Sequence, residues 1–375
     1  MNTSNGRRGG RPLALVSLVA AGAVLLAACS GSSSSTSNNG GTSSGPVKVA
    51  LSNYFNGNIW RKQMENSFTS TAKANPKYVS KYTVTEANGS APQQAQQIQS
   101  LVLQGYKAIV IDAASPTALN GAIQKACDAG VKVVVFDSLA TAPCAYKVAF
   151  NYEQYGVDEA TFMAKQLHGK GNILMVRGIA GNTVDADIFK GVQSVIAKYP
   201  GMKIVGQVYG QWTETVAQQE VAKILPSLPK LDGVLTNGND GGGALQAIQQ
   251  AKISPLPIVI QGNAGQDLKA WKSVLAKDST YKTMSVSSQP SISTTALWLS
   301  VLLKTGKGNA AKVPDKTIYA PLLEIPEANL DQWASALSYT SIAENPTTLE
   351  ATQKLVDAAI AKKPTYVETP LPPKA

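Results

Sequence analysis

AIVIDAASPTALNGAIQKACDAGVKVVVF, residues 108–136, decides the fold. It opens and closes with short apolar runs, Ala108 to Ile111 and Val131 to Phe136, of strand length and rich in β-branched residues. Between them, Pro116 to Ala129 carries apolar residues at helical spacing, with a proline at its first turn and Gly130 where a left-handed cap would stop it. Strand, helix and strand in this order require a right-handed crossover and a parallel strand pair.

The unit repeats in both directions. Upstream lie the strand Val47 to Leu51, the helix Trp60 to Ala74, the strand Tyr82 to Ala87 and the helix Ala91 to Gln104. Downstream, strands at Val148 to Phe150, Asn172 to Val176, Lys203 to Val208, Gly233 to Leu235 and Ile258 to Ile260 alternate with helical patterns. Gly105 and Gly171 are placed, like Gly130, where helices must end. Such alternation builds parallel sheets covered by helices on both faces. The number of units exceeds one comfortable sheet. The expected fold class is therefore α/β, two doubly wound parallel-sheet (Rossmann-like) lobes that divide near Asn151 and are joined by a multi-stranded hinge. The stretch Thr283 to Ser287 and the helix Ser293 to Lys304 return to the first lobe. Ile318 to Ile325 reads as one last strand, Asp331 to Ala336 and Thr348 to Ala361 as helices, and the proline-rich end from Pro364 as a loose tail.

The first 29 residues carry an address. Arg7, Arg8 and Arg11 precede an apolar run from Leu13 to Leu26, shorter than the ~20 residues a spanning helix needs. The run closes in Leu26-Ala27-Ala28-Cys29, which resembles the lipobox of bacterial lipoproteins, whose cysteine is lipidated. Residues 30–45 contain only Ser, Gly, Thr and Asn, a composition that cannot bury a core and suits a flexible tether. The expected organisation is a signal peptide (1–28), a lipidated cysteine with its linker (29–45), a first lobe (46–151 with about 288–316), a second lobe (152–287 with about 317–345) and a C-terminal helix and tail (346–375). The expected location is the extracytoplasmic face of a cell membrane, held through the lipid alone.

The formal charge of +10 is dispersed, without basic tracts or basic–aromatic alternation, so nucleic acid is not an expected partner. His168 is the only histidine, which removes His-based triads and general-base schemes. No spacing suggests a metal or cofactor site. With Cys29 committed to lipid, Cys127 and Cys144 remain as a pair in an oxidising compartment, either bridged or as two buried thiols.

Ligands of open parallel sheets sit beyond the carboxyl ends of the strands. Asn53, Asn58, Trp60 and Arg61 follow the first strand and Asp137 the fourth. Asp185 and Asp187 follow Asn172 to Val176, and Trp212 follows Lys203 to Val208. Asn237 and Asp240, then Asn263, then Gln289 end the later strands. Amides and carboxylates hydrogen-bond hydroxyl groups, and an aromatic face packs on the C–H side of a sugar ring. Any one of these residues alone reads as a turn or cap. Their recurrence at strand ends in both halves is what a cleft between two sheets requires.

From Val47 to Ile325 the chain resembles the type I periplasmic binding proteins of the ribose- and galactose-binding group. The resemblance rests on Asn58-Ile59-Trp60-Arg61, on Gly178-Ile179-Ala180-Gly181 with Asp185 and Asp187, and on Asn237 to Gln250. It implies roles in ligand binding for Asn58, Trp60, Asp137, Trp212 and Asn237. It also implies a Cys127–Cys144 disulfide like that of one sugar-binding subgroup. Ser138 and Ala186 stand where ribose binders carry arginines, and Gly262-Asn263 replaces a usual aspartate. Arg61 beside Trp60 is closer to hexose binders. The expected function is capture of a small neutral sugar or related polyol, without catalysis, by a monomer that serves an ABC permease and its ATPase. A lipoprotein sensor is the alternative. A hydrolase using Asp185 and Asp187 is disfavoured because the pair does not face itself across a bond.

Overall fold

The computed structural model describes residues 45–369 and Pro372. The expected signal peptide, Cys29 and the linker up to residue 44 lie outside the described residues. Among the described residues no helix is long and apolar enough to cross a membrane.

The first half runs β1 (Val47–Asn53), α1 (Ile59–Ala74), β2 (Val79–Glu86), α2 (Ala91–Leu103), β3 (Ala108–Ile111), α3 (Asn120–Asp128), β4 (Lys132–Phe136) and β5 (Tyr146–Ala149). Its strands pair in parallel in the order β5-β4-β3-β1-β2. Side chains alternate across this sheet as the pleat demands. Val49, Leu51 and Val110 pack towards Met64 and Phe68 of α1, while Ala50, Ile109 and Ile111 pack towards Ile98 of α2 and Ile123 of α3. Both faces are covered, which is why these strands read as unbroken apolar runs. The disulfide Cys127–Cys144 ties α3 to the segment before β5.

The second half runs α4 (Tyr152–Gln166), β6 (Lys170–Arg177), α5 (Thr183–Ile196), β7 (Gly201–Tyr209), α6 (Glu214–Ile224), β8 (Gly233–Thr236), α7 (Gly241–Gln250), β9 (Ile258–Val259), α8 (Gly265–Leu275) and β10 (Val286–Ser287). Its parallel sheet has the order β7-β6-β8-β9. Leu174 and Val176 face Val221, Leu245 and Leu268 on one side, and Ile173 and Met175 face Met163 and Val192 on the other. The chain then continues through α9 (Ile292–Thr305), β11 (Thr317–Tyr319), β12 (Leu322–Glu324), α10 (Leu330–Ala336), α11 (Leu349–Ile360) and β13 (Val367–Glu368). Helix α9 is buried from Ile292 to Leu303 and returns to the first sheet, packing on β3 and β4.

Several expectations need correction. The apolar run Ile318 to Ile325 is two strands, because β11 extends the first sheet beside β5 while β12 pairs antiparallel with β10. Pro321, which has no N–H to donate, marks the break. Residues 317–319 thus belong with the first sheet and not with the second lobe. The tail is not wholly loose: β13 pairs in parallel with β12. Helix α3 starts at Asn120, with Pro116 in a preceding turn whose carbonyl accepts from Thr141. Gly171 lies inside β6, and the left-handed residues ending α4 are His168 and Gly169.

The chain passes between the halves after β5, after β10 and at Pro321. Gln289, expected in the binding site, ties the passage after β10 to the one at Pro321 instead. Its Nε2 donates to the Pro321 carbonyl at 3.1 Å, and its Oε1 accepts from the Ser291 hydroxyl at 3.0 Å and the Asn345 N–H at 2.8 Å.

Candidate functional site

The carboxyl ends of the two sheets face one small cavity with about 40 Å³ of free space. That is room for a water or two, so a ligand of sugar size requires the two walls to move apart before it enters. A wider, solvent-open groove runs along the outer side of α1, but it lacks the converging buried polar groups found in the cavity. Asn58, Trp60, Arg61, Asp137, Trp212 and Asn237, all anticipated from the sequence, line the cavity. They are joined by Tyr152, Tyr155, Val184, Asn239, Ser287 and Ser288.

The wall from the first half is built on the start of α1. Asn58 is its N-cap, accepting from the Arg61 N–H at 2.9 Å, so the cap fixes the first turn from which Trp60 and Arg61 project. Trp60 donates its indole N–H to the Ser288 carbonyl at 3.2 Å. The Arg61 guanidinium lies 4.7 Å from the Tyr54 ring and 5.0 Å from the Trp60 ring. It forms ion pairs with Asp112 and, at 3.3 Å, with Asp137. Asp137 ends β4 in the left-handed region, at φ 54°, which turns its carboxylate away from the strand and towards Tyr152 and Arg61. The Tyr152 hydroxyl donates to its other oxygen at 2.5 Å. Burial pushes the Asp137 carboxyl above its usual range, with Arg61 and then Tyr152 pulling the other way. Burial and the adjoining Asp137 hold the Tyr152 phenol well above its ordinary value.

The opposite wall hangs on Asp185. This carboxylate takes Arg177 Nε and Nη2 at 2.8 and 2.6 Å, the Gly178 N–H at 2.8 Å and Asn237 Nδ2 at 2.7 Å. Asn237 is thereby held with its Oδ1 buried and without a hydrogen-bond donor among the described residues. Trp212 follows β7 through two consecutive left-handed residues, Gln211 at φ 55° and Trp212 at φ 53°. Its ring lies so close over Gly178 that a Cβ there would fall 2.2 Å from Cζ2. Bulky residues are rarely found in this backbone region and cost strain there, so the turn is held by its surroundings. At the cleft, Asn182 of the second half donates Nδ2 to the Tyr54 hydroxyl at 3.2 Å and the Ser138 hydroxyl at 3.1 Å.

Five more anticipated residues lie outside the cavity lining. Asn53 braces the end of β1, donating to Glu65 and Glu86. Asp185 stands behind Asn237, and Asp187 faces solvent, so the two carboxylates share no face for paired acid–base work. Asp240 is buried at the start of α7 beside Gly210, where a Cβ would come within 2.6 Å of its Oδ2. Asn263 spends its side chain on the Leu323 carbonyl and the Ser285 hydroxyl, while its N–H orients Asn239. Strand-end position selects polar residues but does not say whether they aim at the gap or at a neighbouring loop. Tyr152 and Tyr155 were overlooked for a related reason: they sit inside a helix. Their i, i+3 spacing just after the crossover at Asn151 is the signal that could have found them.

Residues 49–308 match the periplasmic binding protein domain family. The xylitol-binding protein of Mycolicibacterium smegmatis is 32% identical over 190 residues, covering 50% of this chain and 54% of that protein. The D-apiose import binding protein of Paraburkholderia graminis is 30% identical over 174 residues, covering 45% and 55%. The chain thus spans about half the length of the curated relatives it matches. An ABC transporter solute binding protein from Thermobispora bispora, solved as a crystal structure, is 37% identical with a TM-score of 0.78, covering 87% of this chain and 99% of that one. The two parallel sheets, the cavity between their carboxyl ends and the match over residues 49–308 agree: this chain belongs to the periplasmic binding protein domain family.

Proposed function

We propose that the chain is an extracytoplasmic solute-binding protein that captures a small neutral polyol or sugar between its two halves and presents it to an ABC-type permease and ATPase. The observation that carries this reading is the convergence of Asp137, Asn237, Asn239, Trp60 and Trp212, from strand ends of two sheets, on a single cavity. Acceptors such as Asn237 Oδ1 need donors from a ligand, and hydroxyl groups supply them. The indole faces offer apolar surface to C–H groups. Contacts from both halves favour the closed arrangement by differential binding, and closure is the signal a permease can read. No step makes or breaks a covalent bond. Cys29 carries the lipid anchor in this reading, the Ser/Gly stretch keeps the domain near the membrane, and the protein acts as a monomer.

Isothermal titration of the purified domain with xylitol, D-apiose, D-arabinose, D-allose and myo-inositol tests the proposal. Binding of at least one of them should be accompanied by a rise in Tm. A saturating ligand at one hundred times its Kd adds about 2.7 kcal/mol to stability. Absence of heat and of any thermal shift across the whole panel would overturn the reading.

A further inference from the structure

The protein as a whole is basic, yet among its buried side chains acidic residues outnumber basic ones. Among the described residues, the buried carboxylates are Asp112, Asp137, Glu159, Asp185, Asp240 and Asp267, while the buried cations are Arg61 and Arg177 alone. Both guanidiniums are already engaged. Arg177 is held bidentately by Asp185 and shares its remaining face with Gln207 and the Phe189 ring. Arg61 is shared between Asp112 and Asp137 and lies between the rings of Tyr54 and Trp60. One guanidinium between two carboxylates leaves one negative charge in excess, and of those two carboxylates Asp137 is the one that lines the cavity.

From this we infer that the cavity selects ligands by charge: it rejects polyols bearing a carboxylate or phosphate and accepts an amine-bearing polyol at Asp137. The inference rests on the polyol-binding reading above and deepens it. An anion entering here finds no free cation, because pairing with Arg61 or Arg177 means displacing a carboxylate already bound. It also meets the excess charge of Asp137 in a site largely closed to solvent, where like charges are costly. An ammonium group meets the reverse situation. It supplies donors to acceptors that lack them and offsets a carboxylate that is incompletely compensated.

The test uses matched sets on one carbon skeleton: xylitol, xylonate and 1-amino-1-deoxyxylitol; D-arabinose, D-arabinonate and an amino-deoxyarabinose; and myo-inositol, its 1-phosphate and an inosamine. Affinities are measured by calorimetry at neutral pH. For whichever neutral member binds, the anionic counterpart should bind at least ~100-fold more weakly, about 2.7 kcal/mol, and the amine within ~3-fold or tighter. Asp137→Asn should narrow the gap between anion and neutral compound and lower the amine's affinity relative to the neutral one. The ratio within each protein is the readout, so an overall loss of affinity does not obscure it. If the variant does not fold, the wild-type ratios alone decide. Anion and neutral compound binding within 3-fold of each other in the wild type would overturn the charge inference while leaving polyol binding intact. Failure of every neutral member to bind would instead overturn the functional reading, and this inference with it.

Discussion

At the residue scale, the site depends on side chains aimed by their backbones. Asp137 and Trp212 both occupy left-handed conformations, and both thereby leave the direction of their strands. Trp212 can do so because Gly178 has no side chain beneath the indole. Gly178→Ala puts a methyl group inside the ring's space, and the ring has to give way. The expected result is a fall in polyol affinity of about tenfold, of the order of 1–2 kcal/mol, with a small change in Tm. Calorimetry and thermal melts on the same preparation check it. Unchanged affinity would show that the indole makes no ligand contact.

At the scale of elements, α4 and α5 pack on one another and carry three of the residues that line the cavity. Tyr152 and Tyr155 belong to α4, and Val184 to α5. The helices cross through two glycines that face each other's backbone: a Cβ on Gly156 would lie 2.0 Å from the Ile188 carbonyl oxygen, and one on Gly191 2.0 Å from that of Glu153. Backbone cannot swing aside as a flexible side chain does. Gly156→Ala should therefore destabilise by about 1–3 kcal/mol through overpacking, despite the helix propensity it gains. Chemical denaturation measures this, and a stability equal to wild type would mean the helices have room to separate.

At the scale of the whole molecule, two properties belong to neither half alone. The first is closure. Asn182 caps α5 through its Oδ1 and reaches the first half through its Nδ2. Asn182→Asp keeps the capping acceptor and removes the donor, so the ligand-free Tm should stay near wild type while polyol affinity falls ~3–10-fold, the effect of one or two lost hydrogen bonds. The second is response to pH. Burial raises the Asp267 carboxyl from 3.8 to about 7, although the Gly242 and Ala264 N–H groups pull against it. A raised carboxyl binds its proton more tightly when folded, so this stabilising contribution is full below pH ~4 and is lost as pH rises through ~7, by at most about 4 kcal/mol. Glu159 and Asp240 are shifted in the same direction. Denaturation curves from pH 4 to 7.5 should show wild type losing stability relative to Asp267→Asn as pH rises. A constant difference between the two would refute the assignment.

The sequence by itself determined the alternating α/β order, because strands covered on both faces must be continuously apolar and the helices between them amphipathic. It also placed the loops that line the cavity. Asn58, Trp60, Arg61, Asp137, Trp212 and Asn237 were legible because strand ends in parallel sheets converge. Only the tertiary structure decided which polar residues face the cavity and which serve one another. Asp185 became a support for Asn237, Asn263 a brace between β10 and β12, and Gln289 a hinge tie, because each found partners distant in sequence. Local pattern encodes where the chain turns, but the direction of a buried polar side chain is set by the groups that satisfy it, and those arrive only on folding.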